Sequence, residues 1–160
     1  MSKKHYLWMM GVLVVLFLFF TTNLTISRGM KLTPDSFIGK KITYAGVDLS
    51  IKPTVVLYGS SRCSHCQESA PFYKQLSNEP VQIIVVTSDP KDVMKAYVEK
   101  SGYRVDAILK NRPKEVGLLP TLLIVDTDGK IVHAAIGKLN ENRQHEVLDR
   151  IHQLCPTCQV

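Results

Sequence analysis

Apolar residues form one long run at the N-terminus and several short runs later in the chain. Residues 6–26 contain no charged side chain over 21 positions, and a helix of that length spans about 30 Å of hydrocarbon. The later runs have the length of buried strands and cover residues 54–58, 81–87, 121–125 and 131–136. The pattern therefore predicts a transmembrane helix followed by a domain with a buried sheet.

Apolar positions between these strands recur at helical spacing. The apolar positions of the three predicted helices are Cys66, Ala70, Tyr73 and Leu76; Val93, Met94, Tyr97 and Val98; and Val147, Leu148, Ile151 and Leu154. Ser60 and Ser61 are candidate caps for the first helix, and Gly102 should end the second. Because strands and helices alternate first and a hairpin comes last, we expect an α/β fold with a central mixed sheet and helices on both faces.

The same runs divide the chain into five parts. Residues 1–5 are a short basic tail, residues 6–26 the anchor, and residues 27–41 a tether that contains glycine and proline. Residues 42–154 are the expected domain, which opens with a short hairpin, and residues 155–160 form a C-terminal tail. One domain is all that this length can build.

A cleaved signal peptide is the alternative interpretation of the N-terminal run, but no small-x-small cleavage site follows Phe20. Lysine and arginine flank the run almost equally, so positive charge does not decide the orientation. The very short N-terminal tail and the 4 cysteines, in two close pairs, favour an oxidising compartment for the domain. We expect a single-pass protein of the cell membrane whose domain faces the periplasm or another extracytoplasmic space.

The formal net charge of +6 does not indicate nucleic-acid binding. Lysine and arginine are spread along the chain without a basic run or interleaved aromatic residues. A positive surface would instead attract an anionic lipid bilayer weakly, in agreement with the predicted anchor.

Redox chemistry is indicated by the segment Cys63-Ser64-His65-Cys66, which follows a buried strand at the start of a helix. At a helix N-terminus, unpaired backbone N–H groups and the helix dipole favour the thiolate of the first cysteine. We therefore expect Cys63 to attack and Cys66 to resolve the mixed disulfide. The cations of Arg62 and His65 should lower the pKa of Cys63 further. A structural disulfide or half of a metal site are the alternatives for this pair.

Beyond this pair, the chain resembles the TlpA/ResA-like membrane-anchored branch of the thioredoxin superfamily over nearly all of residues 40–154. Pro71 stands where the family kinks its active-site helix, and Leu119-Pro120-Thr121 stands where the family has a cis proline that faces the cysteines. Residues 124–133 resemble the closing hairpin of the family, and Gly137 the glycine that follows it.

The resemblance implies a thiol–disulfide oxidoreductase without a cofactor, acting on thiols and disulfides of other proteins. It also implies a cis bond before Pro120 and a substrate groove formed by Leu119, Pro120 and Thr121, beside which an extended segment can add as a strand. A reductant would take electrons from a membrane redox donor, and an oxidant would pass them to an acceptor.

Three positions depart from the family pattern. Arg62 replaces the tryptophan common before the first cysteine, Leu57 replaces a buried acid, and Ser69 replaces a glutamate. The proton acceptor for Cys66 is therefore not the residue that the family uses. The neighbouring Glu68 is our candidate, since a carboxylate near the helix start can deprotonate the resolving thiol directly or through water.

A second cysteine pair, Cys155-Pro156-Thr157-Cys158, closes the chain. The turn at Pro156 brings the two sulfurs near each other, so a local disulfide and a second redox pair are both open. With His152, the spacing also suits Cu(I) or Zn²⁺.

Three functions remain open after these observations. The protein is a reductant, which we favour, a disulfide-forming oxidant, or a metallochaperone that carries copper or zinc on its cysteines and His152. A peroxidase is less favoured, because a peroxidatic cysteine is not usually paired at this spacing.

Overall fold

Five strands form one mixed sheet in the computed structural model, which describes residues 33–113 and 116–155. The strands are β1 (Thr54–Tyr58), β2 (Gln82–Thr87), β3 (Ala107–Lys110), β4 (Thr121–Val125) and β5 (Ile131–Ile136). Their order across the sheet is β3-β2-β1-β4-β5, with β1, β2 and β3 parallel and β4 antiparallel to both of its neighbours. The apolar runs thus become strands as predicted, and the mixed α/β sheet is confirmed.

Among the described residues, four α-helices connect or follow these strands: α1 (Ser64–Glu68), α2 (Ala70–Leu76), α3 (Lys91–Ser101) and α4 (Glu141–Leu154). The predicted first helix is in fact two, because Pro71 has no N–H to donate and the helical ladder restarts around Ser69. Gly102 ends α3 with a φ of 72°, a conformation that glycine adopts without steric cost. Asn140 caps α4 by accepting a hydrogen bond from the N–H of Arg143.

The two faces of the sheet are covered differently. Alternate strand residues such as Val55 and Leu57 pack with the buried sides of α2, α3 and α4 in one cluster. Their neighbours Val56 and Tyr58 pack in a second cluster, which the described residues cover with Phe37, Leu49 and Val116 rather than with an α-helix.

The expectation of helices on both faces is therefore wrong for the described residues. The chain steps from β1 to β2 to β3 in one direction across the sheet. Because such parallel crossovers are right-handed, both connections place their helices on the same face.

Part of the predicted tether packs on the domain. Residues 34–36 form a 3₁₀ turn, Phe37 is buried, and the N–H of Gly39 donates to the carbonyl of Ile131 over 2.8 Å. The predicted hairpin within residues 42–50 is reduced to a single bridge between Tyr44 and Val47.

The predicted anchor at residues 6–26 and the tail after Cys155 lie outside the described residues. Within residues 33–113 and 116–155, no helix combines the length and hydrophobicity needed to cross a bilayer.

Candidate active site

Cys63 and Cys66 lie where β1 gives way to α1, and they form a disulfide with Cα atoms 5.2 Å apart. Cys63 is the N-cap of α1, and its Sγ accepts a hydrogen bond from the N–H of Cys66 over 3.2 Å. Ser60 and Ser61, the predicted caps, do not cap this helix. A backbone donor aimed at Sγ stabilises a negative charge on that atom, as the prediction for the first cysteine requires.

The two cysteines differ in exposure. Cys63 is half-buried, whereas Cys66 is only 2% exposed and lies against Gly59. A disulfide partner from outside can therefore reach the Cys63 sulfur more readily than the Cys66 sulfur. This difference supports the proposed attack by Cys63 and resolution by Cys66.

The Leu119-Pro120 peptide bond is cis, as the resemblance implied. Thr121 pairs with Tyr58 at the end of β1, so Pro120 lies at the same edge of the sheet as the Gly59–Cys63 loop. The carbonyl of Pro120 accepts the N–H of Gly137 over 2.7 Å, and the Thr121 hydroxyl donates to the carbonyl of Leu118 over 2.8 Å. These bonds hold the loop beside the redox pair.

The two predicted tuning cations point toward carboxylates. The Arg62 side chain is 88% exposed, with a nitrogen 3.8 Å from Asp89, and His65 Nδ1 lies 3.5 Å from Glu68. Their effect on Cys63 stays a prediction, and the positive charge of Arg62 is partly offset by Asp89.

Glu68 is held by an ion pair rather than turned inward. Its carboxylate lies 2.9 Å from Lys138 Nζ, and the side chain is 46% exposed. The hydrogen bond from Lys138, with a smaller contribution from His65, lowers the pKa of Glu68, which makes it a weaker base. Its role as proton acceptor for Cys66 stays a prediction, and this ion pair counts against it.

Asp89 is a residue of the site that the sequence analysis does not identify. It is 4% exposed and is the only buried carboxylate among residues 33–113 and 116–155. The Ser61 N–H donates to it over 2.6 Å, and the Ser61 and Ser60 hydroxyls donate over 2.9 Å and 3.0 Å. The available signal was an acid directly after a buried parallel strand, at the edge that carries the cysteines.

The departures Leu57 and Ser69 are both buried and bring no charge near the pair. Leu57 is 3% exposed, and the Ser69 hydroxyl donates to the carbonyl of His65 over 2.7 Å. The family's acid positions are thus occupied by an apolar side chain and by a hydroxyl that is already bonded.

The second cysteine pair begins at the last described residue, Cys155, which is disulfide-bonded. His152, one of the proposed metal ligands, instead forms a 2.8 Å hydrogen bond through Nε2 with Glu79. In the described part of the chain, no three His, Cys, Asp or Glu side chains come together as a metal site.

Comparisons with known proteins find similarity to thiol–disulfide exchange proteins. No family model matches the chain. The thiol-disulfide oxidoreductase ResA of Bacillus thuringiensis (strain Al Hakam) is 27% identical over 123 residues, which cover 71% of this chain and 70% of ResA. A thiol:disulfide interchange protein of the thioredoxin family from Chlorobium tepidum TLS aligns with a TM-score of 0.56 at 13% identity, over 76% of this chain and 98% of that one.

A thiol-disulfide isomerase from Corynebacterium glutamicum aligns with a TM-score of 0.55 at 17% identity, over 71% of this chain and 91% of that one. These likenesses agree with the paired cysteines of the site. The chain has the thioredoxin fold. It is similar in sequence to ResA, and it is a thiol–disulfide oxidoreductase, as predicted.

Proposed function

We propose that this protein is a membrane-anchored, extracytoplasmic oxidoreductase that reduces disulfides in selected proteins. The observation that carries the proposal is the half-buried Cys63 beside a buried Cys66, at the edge of the sheet where the cis Pro120 loop lies. The apolar run at residues 6–26 supports the anchor, and the resemblance to the TlpA/ResA-like branch supports the reducing role.

The order of the reaction steps follows from the different solvent exposures of Cys63 and Cys66. In the dithiol form, the Cys63 thiolate attacks a substrate disulfide, forms a mixed disulfide and releases one substrate thiolate. Cys66 then attacks the Cys63 sulfur, which releases the second substrate thiolate and leaves the Cys63–Cys66 disulfide seen in the structure. Two electrons pass from protein to substrate, and a membrane redox donor has to return them.

Substrate binding is proposed at the loop around Pro120. Leu118 is 60% exposed, and among the described residues nothing forms a hydrogen bond with the backbone N–H or carbonyl of Leu119. An extended substrate segment can pair with these groups while the Leu118 side chain packs against it. This arrangement would hold a substrate disulfide beside Cys63.

Substitution of the resolving cysteine tests the exchange. Cys66→Ser should trap Cys63 in mixed disulfides with its substrates, and mass spectrometry of these adducts would identify them. Cys63→Ser is the matched control, because it keeps one thiol of the pair but places it in the buried position. Equal trapping by both variants would contradict the assignment of Cys63 as attacker.

The direction of electron flow is tested by equilibrium with glutathione. A protein that reduces its substrates needs a disulfide that is more stable than the substrate disulfides. Its reduction potential must therefore be lower than theirs. A potential near that of the strong oxidants, about −120 mV, would favour the disulfide-forming alternative. A reporter fused after Val160 tests the compartment, and cytoplasmic activity of that reporter would contradict the extracytoplasmic assignment.

A further inference from the structure

Asp89 connects the end of one strand to the loop that carries Cys63. It follows β2, while Ser60 and Ser61 follow β1, and these two strands are parallel neighbours. The N–H of Gly59 extends their pairing by donating to the carbonyl of Val86 over 3.2 Å. Beyond that bond, the strands are joined by the Asp89 carboxylate through three donors of Ser60 and Ser61.

The residues bound by Asp89 begin the turn that ends at Cys63. The N–H of Cys63 donates to the carbonyl of Ser60 over 3.1 Å, which closes a four-residue turn. The Gln67 side chain donates to the carbonyl of Ser61 over 2.9 Å and ties the same turn to α1. Both ends of this turn are therefore fixed, one by Asp89 and the other by the helix whose N-cap is Cys63.

Asp89 is charged at neutral pH. Although burial alone would raise its pKa, the hydrogen bonds from Ser61 and Ser60 outweigh that effect, with help from Arg62, and the pKa lies below its usual range. The Arg62 side chain is largely in water, where solvent screens its charge. A fixed anion is thus hydrogen-bonded to the start of the turn that ends at the reacting sulfur.

We propose that Asp89 is a positioning residue that holds the Ser60–Cys63 turn and whose negative charge disfavours the Cys63 thiolate, so that the disulfide form is stabilised relative to the dithiol. This proposal rests on disulfide exchange at Cys63. In this proposal the reducing direction is due to a buried carboxylate at the end of β2, whose charge opposes that of the nearby Arg62.

The matched pair Asp89→Asn and Asp106→Asn tests this assignment. Asp106 also accepts a backbone N–H, that of Ile83 over 2.7 Å, and also pairs with an arginine, but it lies at the opposite end of β2. The detergent-solubilised full chain is equilibrated with reduced and oxidised glutathione. Alkylation and peptide mass analysis then give the dithiol fraction of Cys63 and Cys66 separately from that of the C-terminal pair.

Asp89→Asn should move the equilibrium toward the dithiol by about three- to tenfold, a rise in potential of about 15 to 30 mV, whereas Asp106→Asn should not move it. An Asp89→Asn equilibrium within about twofold of the parent, or an equal shift in both variants, would overturn the proposal. If the parent disulfide does not exchange with glutathione at all, the proposed function itself fails.

Ser61→Ala keeps the proposal testable if Asp89→Asn does not fold. It removes one hydroxyl donor, leaving the carboxylate charged but less neutralised, so the equilibrium should shift the other way, toward the disulfide. A shift toward the dithiol, or none, would count against the charge of Asp89 as the cause.

Discussion

Asp89 and Asp106 make similar contacts at opposite ends of β2, but these contacts have different consequences. Each accepts a backbone N–H at 2.6 to 2.7 Å and lies near an arginine. Asp106 binds Ile83, a residue of β2 itself, and its side chain is 28% exposed. Asp89 is buried, and the groups that donate hydrogen bonds to its carboxylate belong to the loop before Cys63. Asp106 therefore supports the backbone of a strand. Asp89 instead positions a loop that lies beyond the hydrogen bonds between the strands.

The difference teaches where substitutions should change chemistry and where they should change stability. At the amino end of β2, the backbone is held by strand pairing and by the apolar core, so a lost side chain weakens the fold. At the carboxyl end, a few polar groups set the position of Cys63, so a lost side chain changes the redox reaction first. The following predictions separate these two ends.

The largest effect is expected at the carboxyl end from Cys63→Ser. Removal of the more accessible sulfur should abolish turnover in an insulin-reduction assay, because buried Cys66 cannot meet a substrate disulfide. Circular dichroism should show an intact fold. Turnover above the uncatalysed background would contradict the assignment of the attacking thiol.

At the amino end, Ile83→Ala should mainly destabilise the domain. Ile83 is fully buried in the cluster beneath the helices, and a cavity there should cost about 2 to 5 kcal/mol of unfolding free energy. Urea unfolding measures that loss. The exchange equilibrium with glutathione, measured on folded protein, should match that of the parent, and a shift would show that the two ends are coupled.

Asp106→Asn should have a smaller effect of the same kind. The amide oxygen can still accept the Ile83 N–H, but the charge on this bond and the 3.0 Å ion pair with Arg104 are lost. We expect a loss of about 1 kcal/mol in urea unfolding. A loss as large as that of Ile83→Ala would mean that this carboxylate contributes more than its partial exposure suggests.

The acid sensitivity of the fold should depend on Asp89. Its pKa is lower in the folded domain than the usual 3.8, so its stabilising contribution is complete above that value and is lost as the pH falls below it toward the folded pKa. Unfolding measured from pH 6 down to pH 2.5 should therefore show a shallower decline for Asp89→Asn. Identical declines would argue that the carboxylate is not ionised in the folded state.

The smallest effect is expected for Glu68→Gln. The Glu68 carboxylate pairs with Lys138 on the surface and its pKa is lowered, so it is a poor base for Cys66. Resolution of a preformed mixed disulfide, followed by stopped flow, should slow by less than about threefold. A larger decrease in the rate of resolution, which becomes greater as the pH falls, would support Glu68 as the proton acceptor.

The sheet was predictable from sequence because its strands are buried on both sides. Continuous apolar runs such as Thr54–Tyr58 and Thr121–Val125 match the observed strands residue for residue. The side on which the helices pack was not visible in these runs, because it depends on the order of β1, β2 and β3 across the sheet. Apolar spacing also missed the break between α1 and α2, which depends on the backbone of Pro71.

The site was predicted only as far as it is local in sequence. Cys63 and Cys66 are recognised as a redox pair by their spacing, and the family resemblance adds Pro120 to the site. The contact between Asp89 and Ser61 joins residues 28 positions apart, so no local pattern contains it. Ser60 and Ser61 read as helix caps because their hydroxyls favour that role, but the nearby carboxylate is the stronger acceptor.

The segment around Gly39 and Ile42 has a further consequence for how copies of the protein coexist. Its bonds to Gly129 and Ile131 cover the start of β5, which leaves β3 as the more open edge of the described sheet. That edge has four residues and ends in Lys110. The proposed anchor would crowd many copies into two dimensions, and so short and charged an edge gives neighbouring sheets little opportunity to polymerise.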